Sequence, residues 1–311
     1  MANQLLKWIA KLRVFGKSPI GAYLRLNEWI WKRLPRSITA LPPVNSYGHL
    51  LHSLVLLRGE RQMYLGTYFL RNRPELELIR RLMKVRVGED QLKIAVLGSS
   101  NGAQVYSIMW AIRSLDPSRR VAIEAVDISP KALEIASRGV YASALSDLIG
   151  EPVLKLMSAQ EEEEMFDREG EEFKVKAWIK EGITWRLGDA GAPEILDVLG
   201  PHDIVVANSF LCHMDPEDAE KCLLNIARLV APQGYLFVSG VDLDVRTKVA
   251  KSLGWKPVAE LLEEVHEGDP SLRASWPCKY WGLEPIDKRR PDWRLRYASV
   301  FQVVGTDLSR S

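Results

Sequence analysis

Val96-Leu97-Gly98-Ser99-Ser100-Asn101-Gly102-Ala103-Gln104-Val105-Tyr106-Ser107 decides how this chain is read. An apolar run stops at Gly98, small or polar residues lead to a second glycine at Gly102, and a helical pattern begins at once. That spacing predicts a strand, a tight turn and a helix. Gly98 lets the backbone turn without a Cβ clash, and Gly102 lets the chain approach a ligand closely. Ser99, Ser100, Asn101 and Gln104 supply the polar groups of the turn. Asp127-Ile128-Ser129 follows 25 residues after Gly102, where the next strand should end, and an acid there suits ribose hydroxyls. The stretch reads as the floor of a nucleotide-type cofactor site.

Working outward, the pattern predicts strands at 93–97, 121–127, 183–188, 203–208 and 234–240, with helices at 102–115, 130–138, 192–199 and 216–230 between them. Strand and helix alternating over short connections imply a parallel sheet covered on both faces. Ligands then sit beyond the carboxyl ends of the strands. Gly98, Asp127, Asp189 and Asn208 all fall at such ends, and together they outweigh any one loop. The glycine spacing is not that of a dinucleotide fingerprint, because Ser100 stands where a middle glycine is expected. No Gly-Lys-Ser/Thr follows either, which disfavours a phosphate loop.

Before this region, Leu5, Trp8, Ile9 and Leu12 share one face of a basic amphipathic helix over 3–14. Leu24, Trp29, Ile30, Trp31 and Leu34 mark a second over 20–34. Leu41-Pro42-Pro43 reads as a linker, His49 to Leu57 as apolar and helical, and Pro74 as the start of a helix reaching Gly88. Residues 1–36 carry eight basic side chains and one acid, whereas 151–172 carry nine acids and two bases. The basic helices suit weak contact with an anionic membrane surface or an acidic protein, or they pack on their own domain with the lysines in water. Between about 145 and 182 the repeat is interrupted by Glu161 to Glu164, read as a solvated helix face, and by Phe173, Val175 and Trp178, a small insert that forms a hairpin or a lid. After Gly240 come a helix over 245–253, a stretch with Trp255, Trp276, Trp281 and Trp293, and a final strand at Tyr297 to Val304. Those aromatics line a substrate pocket or belong to the core.

With 47% hydrophobic and 26% charged residues, composition is that of a soluble globular protein, and a net charge of +2 gives no reason to expect nucleic acid. Cys212, Cys222 and Cys278 form neither a disulfide framework nor a metal-ligand pattern, so no metal is expected and a reducing, cytoplasmic setting fits. No stretch has the length of an apolar spanning helix, and no signal-peptide core is visible at the N-terminus.

The ordered motifs resemble those of the chemotaxis-receptor (CheR-type) methyltransferases. Thr67-Tyr68-Phe69-Leu70-Arg71 matches that family's T-x-F-F-R segment, and Gly98 to Ile108 its G-x-S-T-G-E-E-P-Y-S loop. Ala125-Val126-Asp127-Ile128 matches A-T-D-I-D, and Ala136 to Tyr141 matches A-x-x-G-x-Y. The resemblance runs on through Phe166 to Asp189, Asp203 to Met214 and Leu229 to Leu236. It implies a class I, Rossmann-like α/β fold binding S-adenosylmethionine, with a seven-stranded, mostly parallel sheet whose last strand is antiparallel. The expected organisation is an N-terminal helical region over 1–88 and a cofactor-binding methyltransferase domain over 89–311.

By the same resemblance, Gly98 and Gly102 pass beneath the amino-acid end of the cofactor, Asp127 takes the ribose, and Asp189, with Ala190 after it, lies near the adenine amine. Thr67, Arg71, Ser99, Ser100, Asn101, Gln104, Ile128, Asn208 and Ser209 complete the cofactor set. Arg71 approaches the methyl-transfer centre, and His213 stands where the family has a tyrosine close to the transferred methyl. Those two are the catalytic candidates. The plainer reading of Arg71 is a surface ion pair with Glu75, one turn on. Several positions depart from the family. Ala103 and Gln104 replace its two glutamates, so one carboxylate for the cofactor's ammonium is missing. Asn208-Ser209 replaces Arg-Asn, and Leu65 replaces an asparagine. The expectation is therefore methyl transfer to an oxygen or nitrogen nucleophile of a small molecule or peptide side chain, not to a chemoreceptor glutamate. The alternative is a non-catalytic module that keeps the cofactor fold and docks a partner through its basic helices; a nicotinamide-dependent oxidoreductase ranks third.

Overall fold

The computed structural model describes residues 19–39, 41–58, 67–85, 91–142, 152–268, 277 and 284–303. The helix expected over 3–14, its lysines, and Trp276, Cys278 and Trp281 lie outside the described residues. In chain order the strands are Leu92–Leu97 (β1), Val121–Asp127 (β2), Val140–Ala142 (β3), Phe166–Glu169 (β4), Glu172–Val175 (β5), Ile183–Leu187 (β6), His202–Val206 (β7), Val230–Phe237 (β8), Lys256–Pro257 (β9) and Val300–Gln302 (β10). β1 shows why the sheet sits at the centre. Ile94 and Val96 join one apolar core with Phe69, Ile79 and Tyr106, and Ala95 and Leu97 join a second with Val205, Leu223 and Leu236. A strand apolar on both faces is stable only when covered on both, which is the parallel, helix-flanked arrangement.

The seven-stranded sheet runs β6-β2-β1-β7-β8-β10-β9. β6, β2, β1, β7 and β8 are mutually parallel, while β10 is antiparallel to both β8 and β9. The expected antiparallel last strand is thus present, slotted between β8 and β9. The interruption after β2 is a second sheet, β3-β5-β4, antiparallel throughout. Its Phe166 meets Phe173 edge-on at 5.9 Å. Phe173 and Val175 are therefore core residues of a small sheet. In the acidic run, Glu161 makes a capping box with Ser158 at the start of the helix Ala159–Met165, while Glu163 and Glu164 are exposed as expected.

By its contacts the chain divides into two compact units, residues 1–62 with 270–285 and residues 63–269 with 286–311. The division falls at 62/63 and not at the expected 88/89. The helix Arg73–Val85 puts Ile79 and Leu82 in one core with Ile108 and Ile112 of the helix Ala103–Arg113, and Arg80 Nε donates to the Ala111 carbonyl at 2.7 Å. Apolar burial on that scale assigns the helix to the sheet. The first unit holds the helices Pro19–Trp31, Arg36–Thr39 and Pro42–Arg58. Pro42 and Pro43 begin a helix and are no linker, because a residue without an N–H fits the first turn. In the helix Pro19–Trp31, Leu24 and Asn27 are buried but Trp29 and Ile30 are exposed. Asn27 Oδ1 accepts from Tyr47 Oη at 2.6 Å. Among the described residues no helix is long and apolar enough to cross a membrane.

Candidate functional site

Strand register sets the site. Val96 of β1 is level with Ala125 of β2 and Val206 of β7, so Gly98, Asp127 and Asn208, each two residues further on, leave the sheet side by side. β2 and β6 lie on one side of β1, and β7 and β8 on the other. The edge between β1 and β7 is where such a sheet opens a crevice for a ligand.

Gly98 has φ of 68°, and a Cβ there would stand 2.9 Å from the Phe210 ring. Ser100 adopts φ of 50° without being glycine, a conformation costing about 1 kcal/mol or more unless its surroundings hold it. Asp127 does the holding. Its Oδ2 accepts the Ser100 N–H at 2.7 Å, and its Oδ1 accepts the Ser129 N–H at 2.8 Å. The carboxylate is buried, and each oxygen keeps a further lone pair. Gly102 has φ of 85°, and its missing Cβ would meet Trp185 at 2.9 Å and Ala136 at 3.0 Å. A side chain at this position would therefore strike β6 and the helix Pro130–Arg138.

Asn101 ties the loop to its surroundings. Its Nδ2 donates to the Thr67 carbonyl at 3.3 Å, and its own carbonyl accepts the Tyr141 hydroxyl at 2.7 Å. Thr67 through Leu70 are all buried. The Phe69 N–H donates to the Val153 carbonyl, and the Leu70 N–H to Ser107 Oγ at 3.0 Å. Phe69 meets Tyr141 and Phe166 edge-on at 5.1 and 5.0 Å. The segment that delivers Arg71 is accordingly rigid.

Glu75 is the residue that sequence reasoning misplaced. It is 2% exposed, where a surface ion pair with Arg71 was the simple expectation. Its Oε1 accepts from Asn208 Nδ2 at 2.8 Å and from Gln104 Nε2 at 3.2 Å. The Asn208 amide cannot turn away, because its Oδ1 accepts both the N–H and the hydroxyl of Ser239 at 2.9 Å. Glu75 Oε2 is buried with no hydrogen-bond partner. Burial pushes this carboxyl up to about 7, against the two amides and the Arg71 charge, which pull it down. Asn72-x-x-Glu75 was the available signal, an N-cap with a glutamate three residues on. The Glu75 N–H does bond Asn72 Oδ1 at 3.2 Å, but the side chain turns inward.

The remaining candidates spread along the same edge. Ile128 beside Asp127 is 55% exposed. Asp189 beyond β6 accepts the Gly191 N–H at 2.8 Å, and Ala190 is buried in the second core. Ser209 has φ of 62° and donates its N–H to the Ser239 carbonyl at 2.9 Å, a backbone role. His213, half-buried, ends the short 3₁₀ turn Leu211–His213 after β7. A separate cleft lined by Trp110, Arg113, Arg119, Arg120 and Trp178 opens beside the start of β2, at the opposite edge from Asp127.

Residues 66–250, more than half of the chain, match the sequence model of a family described as "CheR methyltransferase, SAM binding domain". The chain belongs to this family. Relatives in the CheR family include the probable biofilm formation methyltransferase WspC of Pseudomonas putida, 23% identical over 62% of this chain and 43% of the relative. The chemotaxis protein methyltransferase of Vibrio parahaemolyticus is 29% identical over 52% of this chain and 58% of the relative. The chain thus spans about half the length of the curated relatives it matches. Among solved structures it is similar to a TehB-like S-adenosylmethionine-dependent methyltransferase from Corynebacterium glutamicum, with a TM-score of 0.36 and 14% identity over 70% of this chain and 86% of that one. The cofactor of the CheR family is S-adenosylmethionine, and the domain matched is the one that binds it.

Proposed function

We propose that this protein transfers a methyl group from S-adenosylmethionine to an oxygen or nitrogen nucleophile of a small molecule or peptide side chain other than a chemoreceptor glutamate. The observation that carries the reading is Asp127, a buried carboxylate fastened at a strand end by two backbone N–H groups, with lone pairs left for ribose hydroxyls. The rest of the edge fits the same group. Gly98, Ser99, Ser100, Asn101 and Gly102 form the cradle under the amino-acid end, together with Thr67 and Gln104. Ile128 offers an apolar surface beside Asp127, Asp189 and Ala190 border the adenine side, and Asn208 and Ser209 close the crevice from β7.

S-adenosylmethionine, when bound, supplies a methyl group already activated on a cationic sulfur. The protein's work is then to align a nucleophile and exclude water. Arg71, delivered by a rigid buried segment, orients an acceptor that carries negative charge. His213 accepts the proton of a hydroxyl or amine acceptor at neutral pH. It supports an acceptor different from the family's, since it stands in the tyrosine position, as Asn208-Ser209 stands in place of Arg-Asn.

Calorimetric titration with S-adenosylhomocysteine tests the cofactor half, and Asp127→Ala should abolish the heat. Methyl transfer from labelled S-adenosylmethionine into hydroxyl, amine and carboxylate acceptors, a chemoreceptor peptide among them, tests the rest. Labelling of the chemoreceptor peptide alone sinks the acceptor assignment. Cofactor binding with no labelling in any class favours the non-catalytic docking module.

A further inference from the structure

Glu75 is a buried acid with one oxygen bonded twice and the other without a hydrogen bond. Its Oε1 takes two neutral amides, Asn208 Nδ2 at 2.8 Å and Gln104 Nε2 at 3.2 Å, while its Oε2 is buried and makes no hydrogen bond. A native fold rarely keeps an unsatisfied buried carboxylate oxygen unless a bound group completes it. Glu75 also lies between two elements that border the proposed site. It bridges the first turn of the helix after the Gly98–Gly102 loop, through Gln104, and the end of β7, through Asn208, and these two flank the crevice between β1 and β7. Asp127 lies on the other side of β1, fixed by Ser100 and Ser129.

We propose that Glu75 binds the α-ammonium of S-adenosylmethionine through Oε2, supplying from the helix Arg73–Val85 the carboxylate that Ala103 and Gln104 no longer supply from the loop. The inference rests on the cofactor reading above and adds a residue to it. Chemistry selects the ammonium among the cofactor's donors. The ribose hydroxyls are matched by Asp127 across β1, and the sulfonium carries no N–H or O–H. The ammonium is cationic and brings three donors, so it both satisfies Oε2 and favours the ionised carboxylate. Gln104 holds the acid by a neutral amide, which a glutamate at that position would instead repel. Arg71 is the charged group that acts on Glu75; Gln104 and Asn208, which face it from the other two elements, are neutral.

Two ligands separate this role from a structural one. S-adenosylhomocysteine carries the amino-acid end, and 5′-methylthioadenosine has the nucleoside and sulfur without it. Glu75→Gln keeps the shape and the amide contacts, so binding of S-adenosylhomocysteine should weaken by about 30-fold or more, as expected when one partner of a buried charge pair is removed. Binding of 5′-methylthioadenosine should stay within about twofold. Adding Gln104→Glu to Glu75→Gln should recover most of the lost affinity, because it returns a carboxylate to the same pocket. On the wild-type chain, calorimetry in buffers of different ionisation enthalpy should show release of a fraction of a proton on binding S-adenosylhomocysteine near pH 7, and none with 5′-methylthioadenosine. Unchanged binding of S-adenosylhomocysteine by Glu75→Gln, or equal loss for both ligands, overturns the proposal and leaves the cofactor reading standing. Failure of the wild-type chain to bind either ligand overturns both.

Discussion

Because Glu75 gives up its proton more reluctantly in the folded chain than in the unfolded one, its burial ties stability to pH. The folded carboxyl titrates at about 7 against an ordinary 4.5. Between those values the folded state holds more protons, so stability falls as pH rises through the window and the loss is complete above it. A shift of that size corresponds to about 3 kcal/mol. Glu75→Gln has no proton to lose there. Without ligand, urea unfolding at pH 5 and pH 8 should show the wild-type chain losing about 3 kcal/mol more than the variant between the two. Equal changes in both would mean that Glu75 titrates normally. Asp127, by contrast, has a backbone donor on each of its oxygens. Asp127→Asn turns one of those oxygens into an amide that faces an N–H, and leaving that donor unmet should cost about 1–3 kcal/mol. Retained stability in the same unfolding measurement would show that the loop does not depend on the carboxylate. The turn at Ser100 and its tie to Asp127 were legible in the sequence because both lie within 30 residues of chain. Glu75 was not, since its partner Asn208 lies 133 residues away, and only the tertiary fold brings the two together.

A charged contact joins the helix Arg73–Val85 to the helix Ala159–Met165, which leads into the small antiparallel sheet. Arg73 Nη2 donates to Glu161 Oε2 and to the Leu156 carbonyl, both at 2.8 Å, and its guanidinium holds the Glu161 carboxyl down at about 2. Glu161 also closes the capping box with Ser158, so it anchors a helix start as well as an ion pair. Its folded value is depressed, so the stability it adds is present above the ordinary 4.5 and lost as pH falls towards 2. Arg73 is half exposed, and solvent screens the pair. Glu161→Gln should therefore cost only about 1 kcal/mol at pH 7, and less at pH 3. A cost that is the same at both values would assign the effect to the cap alone. In the sequence, Glu161 to Glu164 looked like a solvated face, because nothing local distinguishes the first glutamate of that run from the others. The alternation of strand and helix from Leu92 to Phe237 was legible for the contrary reason. It follows from which faces are apolar, and each element carries that pattern within its own length.

Across the whole molecule, the edge proposed to hold the cofactor joins elements that are distant in sequence. Gly98 follows β1, Asp127 ends β2, Asn208 follows β7, and Glu75 comes from the helix before the sheet, while the cores on both faces of β1 fix their heights. A ligand seated there binds the folded state and has no equivalent site on the unfolded chain, so it must raise stability by mass action. S-adenosylhomocysteine at one hundred times its dissociation constant should add about 2.7 kcal/mol, a rise of about 5–10 °C in the unfolding midpoint for a domain of this size. The size of the rise also reports how the edge is coupled. Asp127→Ala should abolish it, because the ribose contact and the hold on Ser100 go together. Glu75→Gln should reduce it for S-adenosylhomocysteine while leaving the smaller rise with 5′-methylthioadenosine intact. Thermal unfolding of these three chains with each ligand checks the pattern. A full rise in Asp127→Ala would mean that the ligand binds somewhere other than the crevice between β1 and β7, and the placement of the site at the point where the strand order reverses would be wrong.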